Sequence, residues 1–336
     1  MGYRMKKGAE NPILKADMCP YPAELVFNAG VILHKGTYYM LFRNDREWIY
    51  HCDFRHMDLG LATSSDGINF EVYDKPVFRI DELNDPEIGR LYDVRFTELE
   101  GKIYATMAVE TKHGLRAGIG VTEDFIHLDL ISQSLPDNRN LVLFPEKING
   151  RYVRLERPFT TYNDSNYDMW ISWSYDLKYW GESELCVRHE DIDLGGAKIG
   201  PGTPPIRTEK GWLSLMHAVD YDENRGKNGY EPLWKRRYCA YALLLDLENP
   251  AKVIGISPEP VIMPEESYEI SGGFRNNVVF PMALLRTGED SVRAYYGAAD
   301  TVMAYAEGSI SELIASCTAK PENSRSLMSV LNTYKR

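Results

Sequence analysis

The chain has 336 residues, of which 44% are hydrophobic, 26% charged and 12% aromatic, a balance typical of a soluble globular protein and not of a disordered chain. The net charge of −11 argues against nucleic-acid binding, because a phosphate backbone attracts a basic surface. The sequence has no long apolar run of the kind that predicts a membrane span.

The cysteines favour a reducing compartment. The five of them form no CxxC pair, and their odd number suits free thiols. The first residues contain no apolar segment typical of a signal peptide. We therefore expect a cytoplasmic protein.

A weak internal repeat runs along the chain, and each copy joins a turn to aromatic-rich alternating strands. Such runs bounded by Gly, Asn or Asp are typical of β-hairpins. The spacing between copies, roughly 50 to 80 residues, leaves room for four short strands each. The copies begin at Lys35-Gly36, Glu100-Gly101, Asn149-Gly150, Lys210-Gly211 and Ser291-Val292.

Repeated four-stranded sheets that avoid open edges form a β-propeller. Five copies therefore predict an all-β protein with a five-bladed β-propeller. The same turns would also suit a β-sandwich, and the repeat alone leaves that alternative open. Since no linker divides the chain, we predict a single domain over residues 1–336, with the blades within 10–308.

The strongest helix pattern lies at the C-terminal end. Ser309 and Glu312 have the spacing of a capping box. Apolar residues follow at helical spacing, namely Ile310, Leu313, Ile314 and Cys317. We predict a short helix here, within a C-terminal helix and tail over 309–336.

Two carboxylates occur in segments that are unusual for structural turns. Asp93 follows Tyr92 and lies between Arg90 and Arg95, while Asp300 directly follows an apolar strand. A lone Asp at a strand end is usually a turn or cap residue. A structural and a functional role therefore both stay open for each.

Cationic side chains are scattered beside Gly and Pro, at Arg139, Arg157, Lys198 and His217. Arginine and lysine are normally solvated, and a single histidine on an apolar strand is often a core residue. Lys198 is the least ordinary of them, because its Gly- and Pro-rich loop would let backbone N–H groups approach an anion.

The segment from Arg46 to Asp58 is rich in aromatic and charged residues, and either an acceptor subsite or an oligomer contact would suit it. It contains His51, Cys52, Asp53 and His56, whose spacing fits no common zinc pattern. We therefore expect no metal site, and no motif in the chain predicts a cofactor.

Taken together, these segments resemble glycoside hydrolase family 130, the β-mannoside phosphorylases, over nearly the whole chain. One departure is Val94, where the family often has Pro after the acidic residue. The motifs that carry the resemblance are Phe27–Gly30, Leu41–Arg43, Tyr92–Arg95, Leu143–Gly150, Arg157–Pro158, Lys198–Gly202 and Tyr296–Thr301.

The resemblance implies a five-bladed propeller with its site in the central cavity. It implies that Asp93 is the general acid and that Asn28, Arg43 and Asp300 hold the mannose ring. The phosphate-binding positions that it implies are Arg139, Arg157, Lys198, His217 and Tyr238.

This residue set suits a phosphorylase better than a hydrolase. An inverting hydrolase needs a second carboxylate as a base, whereas phosphate is already an anionic nucleophile and needs a cationic pocket. The acid must be protonated, so we expect the pKa of Asp93 to be raised in the complex. The resemblance further implies that the proton passes through the 3-hydroxyl of the sugar.

Chain length and the short N-terminus most resemble the subfamily acting on β-1,4-mannooligosaccharides, with phosphate as co-substrate. Phosphorylases of β-1,4-mannosyl-N-acetylglucosamine or of β-1,2-mannosides are alternatives, followed by a β-mannoside hydrolase and a non-catalytic sugar-binding propeller. We also expect a homo-oligomer.

Overall fold

The structure, a computed structural model, describes residues 2–50, 53–82, 85–159, 167–225 and 234–319. His51, Cys52 and the tail beyond residue 319 lie outside this part. Five antiparallel sheets follow one another in chain order, each with four strands in its main path. The predicted five-bladed β-propeller is therefore confirmed.

The first strand of the chain belongs to the last blade and is β1 (Lys6–Lys7). Blade 1 contains β2 (Leu25–His34), β3 (Thr37–Tyr50), β4 (Asp53–Ser64), β5 (Glu71–Val72) and β6 (Phe78–Arg79). Blade 2 contains β7 (Ile88–Leu99), β8 (Lys102–Thr111), β9 (Gly114–Thr122) and β10 (Asp129–Gln133). Blade 3 contains β11 (Asn138–Leu143), β12 (Tyr152–Pro158), β13 (Met169–Ser174) and β14 (Gly181–Val187).

The last two blades are built in the same way. Blade 4 contains β15 (Lys198–Pro201), β16 (Ile206–Thr208), β17 (Gly211–Tyr221), β18 (Arg236–Leu245) and β19 (Val253–Ile256). Blade 5 contains β20 (Val279–Arg286), β21 (Ser291–Ala298) and β22 (Val302–Ser309), with β1 at its outer edge. The two α-helices of the described residues are α1 (Ser267–Ile270) and α2 (Ile310–Ser316), and neither is long and apolar enough to cross a membrane.

The repeated turns join the first two strands of the blades. In blades 1 to 3 both turn residues have positive φ, at 49° and 83° for Lys35 and Gly36, and at 52° and 75° for Asn149 and Gly150. Such two-residue turns match the right-handed twist of the flanking strands, and their second position favours glycine. This geometry explains why the repeat is visible in the sequence.

The first strands of the blades (β2, β7, β11, β15 and β20) lie innermost, and β2 contacts both β7 and β20. Apolar side chains fill the spaces between adjacent blades. Between blades 3 and 4, for example, Leu155 and Trp173 belong to one cluster with Met216 and Tyr241. Packing between the sheets therefore fixes the inner strands that carry the site.

The ring closes through the N-terminal segment, because β1 pairs with β22 and Leu14 forms a bridge with Met303. Helix α2 then follows β22, and the predicted cap is present, since the Ser309 hydroxyl accepts from the Glu312 N–H at 3.2 Å. The N–H of Ser309 donates to the Tyr3 hydroxyl at 2.9 Å, so the N-terminal segment also supports α2.

Glu269, in α1, stabilises this ring closure, and its substitution tests how much the closure contributes to stability. Its fully buried carboxylate lies 2.5 Å from Lys7 Nζ and accepts from the Tyr296 hydroxyl at 2.8 Å. Because E269Q leaves the largely buried ammonium of Lys7 without its main counter-ion, we expect the free energy of unfolding to fall by about 3 kcal/mol in urea titrations. The control D17N, at the exposed ion pair with Lys15, should cost less than about 1 kcal/mol, and equal losses would contradict this account.

Candidate active site

Three of the inner strands carry a β-bulge at the same place. Each bulge contains a non-glycine residue with positive φ, namely Asn28 (48°), Asp93 (55°) and Asn140 (57°). Backbone of this kind costs free energy, and it clusters at sites where a side chain must be aimed. The sequence therefore builds three polar side chains into equivalent positions of blades 1, 2 and 3.

Asp93 is 3% exposed and lies at the centre of a hydrogen-bonded cluster. Its Oδ1 accepts from Asn28 Nδ2 at 2.9 Å and from Arg43 Nη1 at 3.3 Å, and its backbone carbonyl accepts from Arg95 Nη1 at 3.0 Å. Burial raises the pKa of Asp93, but Arg43, Arg139, Arg95 and the Asn28 bond together outweigh it and hold the pKa below its ordinary value. The protein alone thus favours the ionised carboxylate, opposite to the shift that we expect in the complex.

Arg43 is held from several sides. Its Nη2 donates to the fully buried Asp45, and its guanidinium lies 4.5 Å over the Phe27 ring and 4.7 Å over the Tyr92 ring. Burial lowers the pKa of Arg43, but Asp45 and Asp93 more than offset this and raise it. Arg43 is therefore a permanent cation with a fixed orientation beside Asp93.

Asp300 lies on the blade 5 side of this cluster, in a left-handed conformation (φ 47°) two residues after the end of β21. Arg275 Nη1 donates to its Oδ2 at 3.2 Å, and the Arg275 guanidinium lies 4.6 Å over the Trp234 ring. Burial raises the pKa of Asp300, and Arg275 and Arg43 only partly oppose the shift. The three residues to which the resemblance assigns the sugar, Asn28, Arg43 and Asp300, thus surround Asp93.

The five predicted phosphate-binding residues also come together, from β11, β12, β15, β17 and β18. Arg139 pairs with Arg157 across the β11–β12 ladder. Lys198 Nζ lies 5.1 Å over the Tyr238 ring, and the His217 ring stacks on the same tyrosine at 6.1 Å between centroids. Antiparallel pairing therefore assembles a cationic cluster from residues up to about 100 positions apart.

Many buried polar atoms in this region have no hydrogen-bond partner. His217 is fully buried, yet neither of its ring nitrogens is paired. An unpaired buried polar group costs about 1–3 kcal/mol, so such groups rarely collect without a ligand to satisfy them. The others are Arg157 Nε and Nη1, Arg139 Nε, Arg95 Nη2 and both side-chain polar atoms of Asn140.

The positive charges of the phosphate cluster also repel one another. Burial, followed by the charge of Arg139, lowers the pKa of Arg157 to about 9. Burial and then Arg157 and Arg139 lower the pKa of Lys198 well below its ordinary value. Burial, Arg157 and Lys198 likewise lower the pKa of His217 well below its ordinary value. A bound anion would relieve this repulsion and raise both pKa values.

Two glycines allow the close packing of these groups. A Cβ added to Gly200 would lie 2.6 Å from Cε1 of His217 and 3.2 Å from Cδ of Arg157. A Cβ on Gly297 would lie 2.0 Å from Oδ1 of Asn28. Any larger residue at either position would displace a side chain of the site.

Four residues of the site were not predicted from the sequence. Asn140, like Asn28, is a polar residue directly before an apolar run, so the sequence contains a signal for it. Asp45 lies two residues after Arg43 and therefore on the same face of β3, which the sequence also predicts. Arg95 appeared only as a neighbour of Asp93. Arg275 follows from no local pattern, because only the fold brings it to Asp300.

The five-bladed propeller has a carboxylate beside a cationic cluster on its inner strands, and the chain belongs to glycoside hydrolase family 130. The family model, described as beta-1,4-mannooligosaccharide phosphorylase, matches residues 8–319. The protein is thus an enzyme that phosphorolyses β-mannosides.

Several relatives have assigned activities. The chain is 34% identical over 318 residues to the beta-1,4-mannooligosaccharide phosphorylase of Ruminococcus albus, covering 90% of this chain and 88% of the relative. It is 32% identical over 310 residues to the 1,2-beta-oligomannan phosphorylase of a Thermoanaerobacter species, covering 90% and 96%. A similar solved structure is the beta-1,2-mannobiose phosphorylase of Listeria innocua in complex with beta-1,2-mannobiose. It superposes on this chain with a TM-score of 0.79 at 25% identity, and the superposition covers 93% of this chain and 99% of that one.

Proposed function

We propose that the protein cleaves β-1,4-mannooligosaccharides from the non-reducing end with inversion, and releases α-D-mannose 1-phosphate and a shortened oligosaccharide. The observation that carries the proposal is the set of buried, unpaired donors on Arg157, Arg139 and His217 beside a single acid. These donors and their mutual repulsion favour an anionic second substrate over water.

In this proposal, phosphate occupies the space among Arg139, Arg157, Lys198, His217 and Tyr238. Guanidinium groups bind oxyanions through two parallel N–H donors, and a neutral imidazole adds one donor. Held there, phosphate is positioned to attack the anomeric carbon from the α face, which converts a bimolecular encounter into an oriented reaction. Asn140, directly after Arg139, has an unpaired Nδ2 group that suits the same anion as a donor.

Asp93 provides the proton for the leaving oxygen, and we propose that phosphate prepares it for that role. Burial already raises the pKa of Asp93, and the arginines that oppose this shift include Arg139, a proposed phosphate ligand. A phosphate anion that neutralises Arg139 removes part of the opposition, so the carboxyl takes up a proton when both substrates are present. The proton then passes to the leaving group, through the 3-hydroxyl as the resemblance implies.

Asn28 and Arg43 on one side and Asp300 on the other are proposed to hold the mannose ring. Two carboxylates near Asp93 are already engaged, since Asp45 pairs with Arg43 and Asp300 with Arg275. Asp45 is fully buried in its ion pair and is therefore poorly suited to act as the base that an inverting hydrolase requires. This pairing disfavours Asp45 as the base in the hydrolase alternative.

The test is to incubate the protein with β-1,4-mannobiose with and without phosphate and to assay mannose 1-phosphate and free mannose. We expect mannose 1-phosphate only when phosphate is present. Free mannose released independently of phosphate would overturn the proposal in favour of a hydrolase.

A second candidate is phosphorolysis of β-1,2-mannosides, which the relatives of that specificity at 32% and 33% identity favour. Parallel assays with β-1,2-mannobiose and β-1,4-mannosyl-N-acetylglucosamine decide among the linkages and acceptors, because kcat/KM should be highest for the natural one. A higher value for β-1,2-mannobiose would replace the 1,4 assignment and keep the phosphate chemistry.

A further inference from the structure

A second cleft lies between blades 2 and 3, with a volume of about 660 Å³, and we call it the blade 2–3 groove. It uses the opposite faces of β11 and β12, two of the strands that build the phosphate cluster. Arg139 and Arg157 belong to that cluster, whereas their strand neighbours Asn138 and Glu156 line the groove. Its volume is within the range of small-molecule sites.

Polar groups at the wall of the groove are buried and incompletely paired. Arg154 Nη2 lies 2.8 Å from Glu156, and Asn138 Nδ2 donates to the same carboxylate at 2.6 Å. All three side chains are more than nine-tenths buried, yet Arg154 Nε and Asn138 Oδ1 have no partner. The wall of the groove thus contains one donor and one acceptor that are unsatisfied and covered from solvent in the structure.

Aromatic rings form much of the remaining surface. Trp170, Trp180 and Tyr179 line the groove, and the Arg154 guanidinium lies 4.3 Å over the Trp180 ring. Trp180 Nε1 also donates to the Leu177 carbonyl at 3.0 Å, so this indole is fixed in orientation. Fixed aromatic rings beside hydrogen-bonding groups provide an apolar surface together with polar specificity.

The charges of the groove nearly balance. Its described lining contains the cations Arg116, Arg154 and Lys178 and the carboxylates Asp137 and Glu156. An anion would find no excess of positive charge comparable to that of the phosphate cluster. A neutral ligand rich in hydroxyl groups, with apolar ring faces, fits this combination of rings and paired charges best.

We propose that the blade 2–3 groove is a second carbohydrate-binding site, which holds a stretch of β-linked mannooligosaccharide away from the reaction centre. The proposal rests on the proposed function, because its ligand belongs to the same substrate class. Phe159 lines the groove, and its ring centroid lies 5.1 Å from the Arg157 guanidinium. The end of the groove at Phe159 therefore adjoins the phosphate cluster. A site in this position retains long chains near the enzyme between turnovers.

Tyr179 and Tyr175 offer a matched pair of variants. They lie in the same turn and are 81% and 75% exposed, but only Tyr179 lines the groove. Because the ring of Tyr179 is exposed, Y179A should fold as the parent does. We expect Y179A to raise KM for β-1,4-mannohexaose about fivefold and to leave kcat and KM for β-1,4-mannobiose unchanged. Y175A should change neither.

Calorimetric titration with β-1,4-mannohexaose in phosphate-free buffer tests the groove without turnover. We expect two binding sites per chain in the parent protein and in Y175A, and one in Y179A. A single site in the parent would overturn the proposal even if phosphorolysis occurs, and two sites without phosphorolysis would overturn only the proposed function. Dissociation of an oligomer by Y179A in sedimentation, with unchanged hexaose binding, would instead identify the groove as an interface between copies of the chain.

Discussion

In the D93N variant, we expect kcat for phosphorolysis of β-mannobiose to fall by about 10³-fold, because the amide cannot supply a proton to the leaving oxygen. The fold should survive, since an amide oxygen can still accept the hydrogen bond from Asn28. Removal of a negative charge near Arg139 should also strengthen phosphate binding. Steady-state kinetics and phosphate titration measure these two effects separately.

The control for D93N is an aryl β-mannoside, whose phenolate departs without protonation. If Asp93 acts as the acid, most of the lost rate should return with this substrate. A loss of equal size on both substrates would show that Asp93 matters for binding or structure and not for proton transfer.

The R157A variant should lose about 10²- to 10³-fold in kcat/KM for phosphate, because under the proposed function it removes a buried donor to the transferring anion. Arg157 is 2% exposed, and no carboxylate is among the groups that most affect its pKa. The same substitution should therefore leave the melting temperature unchanged or raise it, since it removes a buried charge. Binding of β-mannobiose in the absence of phosphate should change little.

Arg151 offers a matched control for R157A. It lies just before the start of β12, stacks over Trp173 at 4.2 Å and pairs with Glu182, outside the cationic cluster. R151A should leave kcat/KM for phosphate at the parent value. If R151A and R157A impair phosphate use equally, the effect comes from the blade and not from anion binding.

The fold could be predicted largely because its repeat depends on local chemistry. A turn such as Asn149-Gly150 requires positive φ at both residues, and the alternating runs beside it are set by burial on one face of a sheet. Repeat counting therefore found five blades. It could not find how the ring closes, because β1 has only two residues and its pairing with β22 depends on tertiary packing.

The site was reached mainly through the family resemblance. Single residues such as His217 or Lys198 look ordinary in the sequence, and only the register of β15, β17 and β18 brings them to Tyr238. Arg275 was missed for the same reason, whereas Asp45 could have been found from its position two residues after Arg43. The roles of the site residues, the cytoplasmic location and the homo-oligomer stay predictions.

Ring closure by β1 has a consequence for biosynthesis. The partner strand of β1 lies at residues 302–309, so β1 is synthesised long before the strand with which it pairs. Until then blade 5 is incomplete, and the growing chain exposes a sheet edge to other molecules. Translation speed and early chaperone contact therefore bear on the yield of this protein more than its native contacts alone would indicate.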